Sequence, residues 1–180
     1  MRSNMNECYL LKPDISFENE LISYRNEFIN NHDSMDGTSR LEKIENIADW
    51  ILFNQKLEHQ ETLPDGPFVP SSLYLYVRKT DHKIVGMINI RHCFNDYLEN
   101  FGGHIGYSVL PSERRKGYAK NMLKDALPYC KTLGIKNVLI TCIQGNEGSK
   151  RTILSNGGKY ENTIFEPDEN IYLERYWINL

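Results

Sequence analysis

Between His104 and Ile143 the chain passes from an alternating, strand-like run through a polar turn into an apolar-periodic helix and then a second apolar strand. This succession restricts the fold more than any other feature. A strand, a helix and a further strand of one sheet join through a right-handed crossover, which sets the two strands parallel. The first strand, His104 to Leu110, ends at Pro111, and the turn delivers Arg114, Arg115, Lys116, Gly117, Tyr118 and Ala119 into the start of the helix. A helix N-terminus presents unsatisfied N–H groups and the positive end of its dipole. Gly117 and the small Ala119 leave the backbone open to a phosphate, and three adjacent cations add charge at the same point. Strand, turn and helix start are the context an anion-binding loop requires. On the residues alone a plain solvated turn, with Gly117 serving only its geometry, stays open.

The helix carries Ala119, Met122, Leu123, Ala126, Leu127 and Cys130 on one face, and Gly134 supplies its stop. Pro128 lies inside it. Without an N–H, and crowding the carbonyl of Lys124, Pro128 predicts a kink or a break. Lys136 to Ile143 is the following strand. A loop and helix from Gly145 to Gly157 then begin with Asn146 and Ser149, and strands near Lys159 to Phe165 and Ile171 to Ile178 complete the chain.

Upstream, Cys8 to Lys12 reads as a short strand. Phe17, Leu21, Tyr24 and Phe28 recur at helical spacing behind Ser16 as a cap. A second helix is predicted from Leu41, with Ser39 as its cap, the stripe Leu41, Ile44, Ile47, Ala48, Ile51 and Leu52, and an end near His59. Leu63 to Ser72 holds three prolines and a glycine and is a loop. Leu73 to Arg78 and Lys83 to Arg91 form a hairpin about Thr80, Asp81 and His82, and a polar stretch from Cys93 leads to Gly102 and Gly103. The sum is an α+β chain: a mixed, mostly antiparallel sheet flanked by helices, with one parallel strand pair.

At 180 residues this suits a single domain spanning 1–180. No apolar run reaches the length of a membrane span and the start MRSNMNE lacks a signal-peptide core, which predicts a cytoplasmic protein without a membrane partner. Four dispersed cysteines and five dispersed histidines make no ligand spacing, so no metal is expected. Charge is unevenly spread: Asp14 to Glu61 holds eleven Asp and Glu against four Lys and Arg, whereas Phe101 to Tyr160 holds ten Lys and Arg against three Asp and Glu. A basic second half suits a phosphate-bearing ligand, and an acidic first half suits either a cationic co-substrate or simply solvated helix faces. The cations cluster at one turn instead of forming a stripe with aromatics, which argues against nucleic acid. Gly145, Gly148 and Lys150 fail the spacing of a nucleotide P-loop.

Arg114, Gly117 and Ala119, preceded by Tyr107, Val109 and Pro111, resemble the pyrophosphate loop and central strand of the GCN5-related N-acetyltransferase (GNAT) family. Asn146, Ser149 and Gly157 resemble a second family feature, although Gly158 stands where an aromatic is usual. The segments GHIGYSV, RRKGYAK and NGG are similar to a bacterial subgroup of predicted acetyltransferases. The resemblance implies acetyl-coenzyme A as co-substrate, its pyrophosphate on the N–H groups of Arg115 to Ala119 beside Arg114, Lys116 and Tyr118. It further implies that the backbone of Ser108, Val109 and Leu110 pairs with the pantetheine arm, that the flanking strands splay, and that Asn146 and Ser149 lie near the pantetheine or the sulfur. Family members are often homodimers.

The implied reaction is attack of a neutral primary amine, on a small molecule or peptide, at the thioester carbonyl. It calls for a base for the ammonium proton, donors for the developing oxyanion and an acid for the thiolate. The Tyr that serves many members as acid is replaced here by Ile153. His104 and Tyr107 are the catalytic candidates, on opposite faces of their strand by its period of two, with Tyr160 and Glu113 behind them. A ping-pong route through Cys142 is disfavoured because no His lies beside it in sequence to lower its pKa. The competing reading is an acyl-coenzyme A sensor or partner protein that keeps the cradle without turnover.

Overall fold

The computed structural model describes residues 7–180, so the first six residues of the polar start lie outside the described part. The strands are β1 (Cys8–Leu11), β2 (Ser71–Arg78), β3 (Ile84–Arg91), β4 (Ile105–Val109), β5 (Asn137–Ile143), β6 (Lys159–Glu166) and β7 (Ile171–Asn179). The helices are α1 (Glu18–Asn30), α2 (Ile47–Leu57), α3 (Tyr118–Thr132) and α4 (Glu147–Ser155). Strands β1-β2-β3-β4 form one antiparallel sheet and β5-β7-β6 a second. This is the α+β architecture that the periodicities predict, with antiparallel sheets flanked by helices; the strands either side of α3, expected as a parallel pair in one sheet, lie in separate sheets and form no parallel ladder among the described residues.

The helix α3 bridges the sheets. Its apolar face, Met122, Leu123, Ala126 and Cys130, is fully buried against Val85 and Ile88 of the first sheet and Val138 and Ile140 of the second. A second core on the other face of the first sheet joins Leu21, Tyr24 and Phe28 of α1 and Trp50 of α2 to Leu73, Leu75 and Met87. Burying a Leu or Phe side chain contributes roughly 2 kcal/mol, so these two layers hold β3 and β4 from both sides.

Four local expectations are corrected. Asp14, not Ser16, caps the turn leading into α1, accepting from the Ser16 amide at 2.7 Å. The second helix begins at Ile47 behind Asn46, whose side chain accepts from the Asp49 amide, and not at Leu41. Ser39 and Arg40 adopt left-handed φ values of 51° and 67°, which breaks any helix through them, and Leu41 is buried from a loop instead. Leu52, assigned to the buried stripe, is 49% exposed. Finally, α3 runs unbroken through Pro128. The proline lies on the solvent side, where water can satisfy the carbonyl of Lys124 that loses its partner.

The loop between α1 and α2 is pinned onto β4. Trp50 Nε1 donates to the carbonyls of Thr38 (3.1 Å) and Ser39 (3.0 Å), and Arg25 Nη1 to those of Ile44 and Glu45, both at 3.1 Å. Gly37, at φ +70°, meets Gly106 so closely that a Cβ there would lie 2.3 Å from the Gly106 carbonyl oxygen. Two glycines therefore let a distant loop touch the central strand.

Candidate active site

The two sheets meet at one point. The His104 amide donates to the Leu139 carbonyl at 2.8 Å, and the Leu139 amide donates back to His104 Nδ1 at 2.9 Å. Beyond that staple β4 and β5 share no ladder among the described residues, and a cleft of about 1230 Å³ opens between them. Its walls come from β4, the turn into α3, the ends of β5 and α4, the α1–α2 loop and the β6–β7 turn.

The edge of β4 that faces this opening follows from register. Leu110 donates to Val85, and His104 accepts from Arg91. Antiparallel alternation then assigns the polar groups of Gly106 and Ser108 to β3 as well, and turns those of Tyr107 and Val109 toward the cleft. This narrows the expected pantetheine edge. The Ser108 backbone pairs with Met87 and its hydroxyl lies 3.0 Å from Tyr24 Oη. Leu110 faces the α1–α2 core and does not line the cleft, because its place in the strand pleat is opposite to that of Val109.

At the turn, Gly117 caps α3 at φ +85° with no side-chain partner for the helix amides, and a Cβ built there would meet nothing within 4 Å. The amides of Arg115 to Ala119 have no protein acceptor among the described residues. This is an open nest of donors at a helix start. The side chains behave differently from one another. Arg114 donates from Nε to the Val109 carbonyl at 3.2 Å and pairs with Asp33 at 2.7 Å. Lys116 turns back onto Glu113 at 2.8 Å and leaves the cleft lining, so only its amide remains at the cradle. Arg115, at φ 63°, forms no ion pair among the described residues and lines the cleft with Tyr118 and Ala119.

Glu113 is buried and organises the turn. Its carboxylate holds Arg78 and Lys83, each at 2.9 Å, besides Lys116. Burial alone would raise its pKa, but the bonds from Lys116, Arg78 and Lys83 prevail and lower it to about 2. A carboxylate ionised so firmly cannot deliver a proton near neutrality, which removes Glu113 as an acid.

The two catalytic candidates separate. His104 lies at the closed end, outside the cleft lining, with its ring 4.0 Å from that of Phe94. Burial, reinforced by the Arg91 charge, pushes its pKa down to about 4. Since Nδ1 accepts from Leu139, the proton sits on Nε2, and the imidazole is a neutral strand staple. Tyr107 lines the cleft, and its hydroxyl lies 2.7 Å from Ser149 Oγ. Burial, against the opposing bond from Ser149, moves the phenol up to about 12, so it remains a proton donor at neutral pH. Asn146 caps α4 by accepting from the Ser149 amide at 3.1 Å and so fixes that serine. Tyr160, 57% exposed and bonded to Thr163, is absent from the cleft lining. Cys142 reaches the cleft, but burial and then the charge of Glu174 raise its thiol to about 11, which leaves no thiolate for a ping-pong route.

Sequence reasoning missed one side of this cleft. Asp33, Asp36 and Gly37 enter from the α1–α2 loop, Arg91 from the end of β3, Phe101 from a π-helical turn over Leu98–Gly102 and Tyr97 from the residue before it, and Glu166 and Glu169 from the end of β6 and the β6–β7 turn. The acidity of the first half of the chain was the one available signal for this wall.

Residues 41–157 match the acetyltransferase (GNAT) family. The chain belongs to the GNAT family. Solved structures agree over nearly the full length. The microcin C7 self-immunity acetyltransferase MccE, in complex with acetyl-CoA and AMP, superposes with a TM-score of 0.65 at 22% identity, covering 97% of this chain and 93% of that one. A GNAT-family acetyltransferase from Bacillus anthracis gives 0.63 at 17% identity, covering 97% and 95%. Mutant forms of the spermidine/spermine N-acetyltransferase SpeG from Vibrio cholerae give 0.63 at 14% identity, covering 96% and 95%. At these identities the likeness is one of GNAT fold. No curated protein sequence matches. Among the described residues no helix is long and apolar enough to cross a membrane.

Proposed function

We propose that this GNAT chain, acting as one catalytic domain, binds acetyl-coenzyme A in the cleft and transfers its acetyl group to a primary amine by direct attack. The observation that carries the reading is the conjunction of a cradle of unpartnered amides at Gly117 with an edge of β4 that turns the polar groups of Tyr107 and the Val109 amide to the cleft, the Val109 carbonyl accepting from Arg114. The two features fit a diphosphate and an amide-bearing arm in series. Arg115 to Ala119 bind the pyrophosphate through main-chain N–H groups, and Arg114 holds the turn to Val109 and Asp33. Tyr107 offers its N–H and C=O and Val109 its N–H to the pantetheine as an added strand would. Acetyl-coenzyme A supplies the activated thioester.

Tyr107 takes the role that Ile153 cannot fill. Ile153 is fully buried in the core, whereas the Tyr107 phenol, oriented by Ser149, faces the cleft and can protonate a departing thiolate. His104 serves as the staple that sets the splay. Loss of the amine proton to water suffices for a base, because positioning supplies much of the rate.

Gly117→Tyr tests the assignment. Its side chain fills the space over the amides, and the affinity for acetyl-coenzyme A measured by calorimetry is expected to fall at least ~100-fold. An unchanged dissociation constant refutes the cradle. Thiol release with an amine panel separates an enzyme from a sensor, since a sensor binds acetyl-coenzyme A and releases none.

A further inference from the structure

Arg91 ends β3 and lines the cleft on the side away from the cradle. Its Nη1 spends both protons on the carbonyls of Gly102 (3.1 Å) and Gly103 (3.2 Å). Its Nη2 lies over β4, 3.4 Å from where a Cβ would stand at Gly106. A guanidinium has five donors in a rigid fork. Neither Nε nor Nη2 finds an acceptor, and Arg91 has no ion pair, among the described residues. The only sealed, unpartnered side-chain polar atom among the described residues is Asn89 Oδ1, so the free donors of Arg91, a residue of the cleft lining, are not sealed from solvent.

Leaving a largely desolvated guanidinium without a carboxylate is costly, and burial does disfavour its charge, opposed only by Tyr97 and Asp36 at a distance. Nearby carboxylates are engaged elsewhere or stand too far off. Asp33 pairs with Arg114, and Glu166 accepts the amides of Asp168 and Glu169 at the β6–β7 turn. The free side of the fork, Nε with Nη2, has the geometry that receives a carboxylate through two parallel bonds.

We propose that Arg91 binds a carboxylate of the acceptor, so that the substrate is an amino acid. This rests on the acetyl-transfer reading and deepens it. Gly106, beneath Nη2, faces the α1–α2 loop while Tyr107 points to the opposite face of β4, so an anchored carboxylate brings the acceptor to the open edge of β4 from the side away from the phenol. Asp36, in the cleft lining and bonded only to Ser34 among the described residues, meets the positive end of the incoming zwitterion.

The test compares amino acids with their carboxamides, their decarboxylated amines and their aminophosphonate analogues, by thiol release with acetyl-coenzyme A. The carboxylates are expected to exceed the amides and amines in kcat/KM by at least ~100-fold, since a site with unpaired donors rejects the analogue that lacks the acceptor. Arg91→Gln is expected to abolish that preference by raising KM for the amino acid, with the dissociation constant for acetyl-coenzyme A unchanged. Arg91→Lys, which keeps the charge and loses the fork, should keep only part of it. An equal or better rate with decarboxylated amines, a ~10-fold advantage for the phosphonates, or a preference that survives in Arg91→Gln overturns the proposal. A readout independent of turnover is the thermal shift given by the preferred amino acid alone, expected in the wild type, reduced in Arg91→Lys and absent in Arg91→Gln. Its absence from the wild type across the panel also overturns the proposal. Failure to bind acetyl-coenzyme A, with that shift intact, refutes the acetyl-transfer reading instead.

Discussion

Replacing His104 by Asn separates a staple from a base. Asn Oδ1 falls where His Nδ1 stands, so the acceptor for the Leu139 amide is retained while the titratable ring is removed. The imidazole pKa moves from 6.5 to about 4 on folding. A depressed value means that the unfolded chain takes up the proton first as pH falls. Stability is therefore whole above the unfolded value and declines until the folded value is reached, by about 3 kcal/mol in all at about 1.4 kcal/mol per unit. Between about pH 7.5 and about pH 5 the wild type should lose about 2 kcal/mol from this residue. His104→Asn loses the ring contact with Phe94, an offset of about 1–2 kcal/mol that does not vary with pH. Urea unfolding at a series of pH values, extrapolated linearly, should thus show the wild type's advantage of about 1–2 kcal/mol falling by about 2 kcal/mol over that window, to nothing or to a small advantage for the variant. Parallel stability curves would refute the buried, neutral staple. A kcat lowered in proportion to an essential base, at unchanged stability, would return His104 to the chemistry.

Tyr107→Phe should lower kcat about 10- to 100-fold and leave acetyl-coenzyme A affinity unchanged, read by steady-state kinetics and calorimetry; Ser149→Ala should add little on top of it, because the two hydroxyls act as a pair. Gly37→Ala, driven into the Gly106 carbonyl from a left-handed backbone, should cost about 3 kcal/mol in denaturant unfolding. Glu113→Gln leaves Arg78, Lys83 and Lys116 without their shared anion and, allowing for solvent around the two lysines, should destabilise by about 2 kcal/mol at neutral pH. The lowered Glu113 pKa makes that contribution full above 4.5 and lost as pH falls toward about 2, so the difference between wild type and variant should close on acidification.

What could be read from the chain was what is contiguous in it. The cradle at Arg114 to Ala119 and the Asn146 cap of α4 are each spelled within a few residues, and local backbone rules are enough to place them. The opposite wall was illegible for the same reason. Gly37 and Gly106 lie far apart in sequence, and neither announces that it exists to let the other approach. Arg91 reads as the polar end of a strand until the carbonyls of Gly102 and Gly103 are seen to occupy one side of its fork. The false start at Leu41 shows tertiary burial imitating periodicity, since a loop pinned by Trp50 can hide the same leucine that a helix would. Lys116 counted toward the cradle by proximity alone, and Glu113, three residues earlier, claimed its charge.

The vertex of the cleft is written in main chain and one buried imidazole. A methyl group at Gly103 would come within 2.6 Å of the Leu139 carbonyl, and the partner bonds of His104 run to backbone atoms. The angle between the half-sheets is thus indifferent to what decorates the opening. Acceptor preference can drift among the lining side chains over evolutionary time while the aperture for the donor keeps its shape, which is how one scaffold can serve many amines without being rebuilt for each.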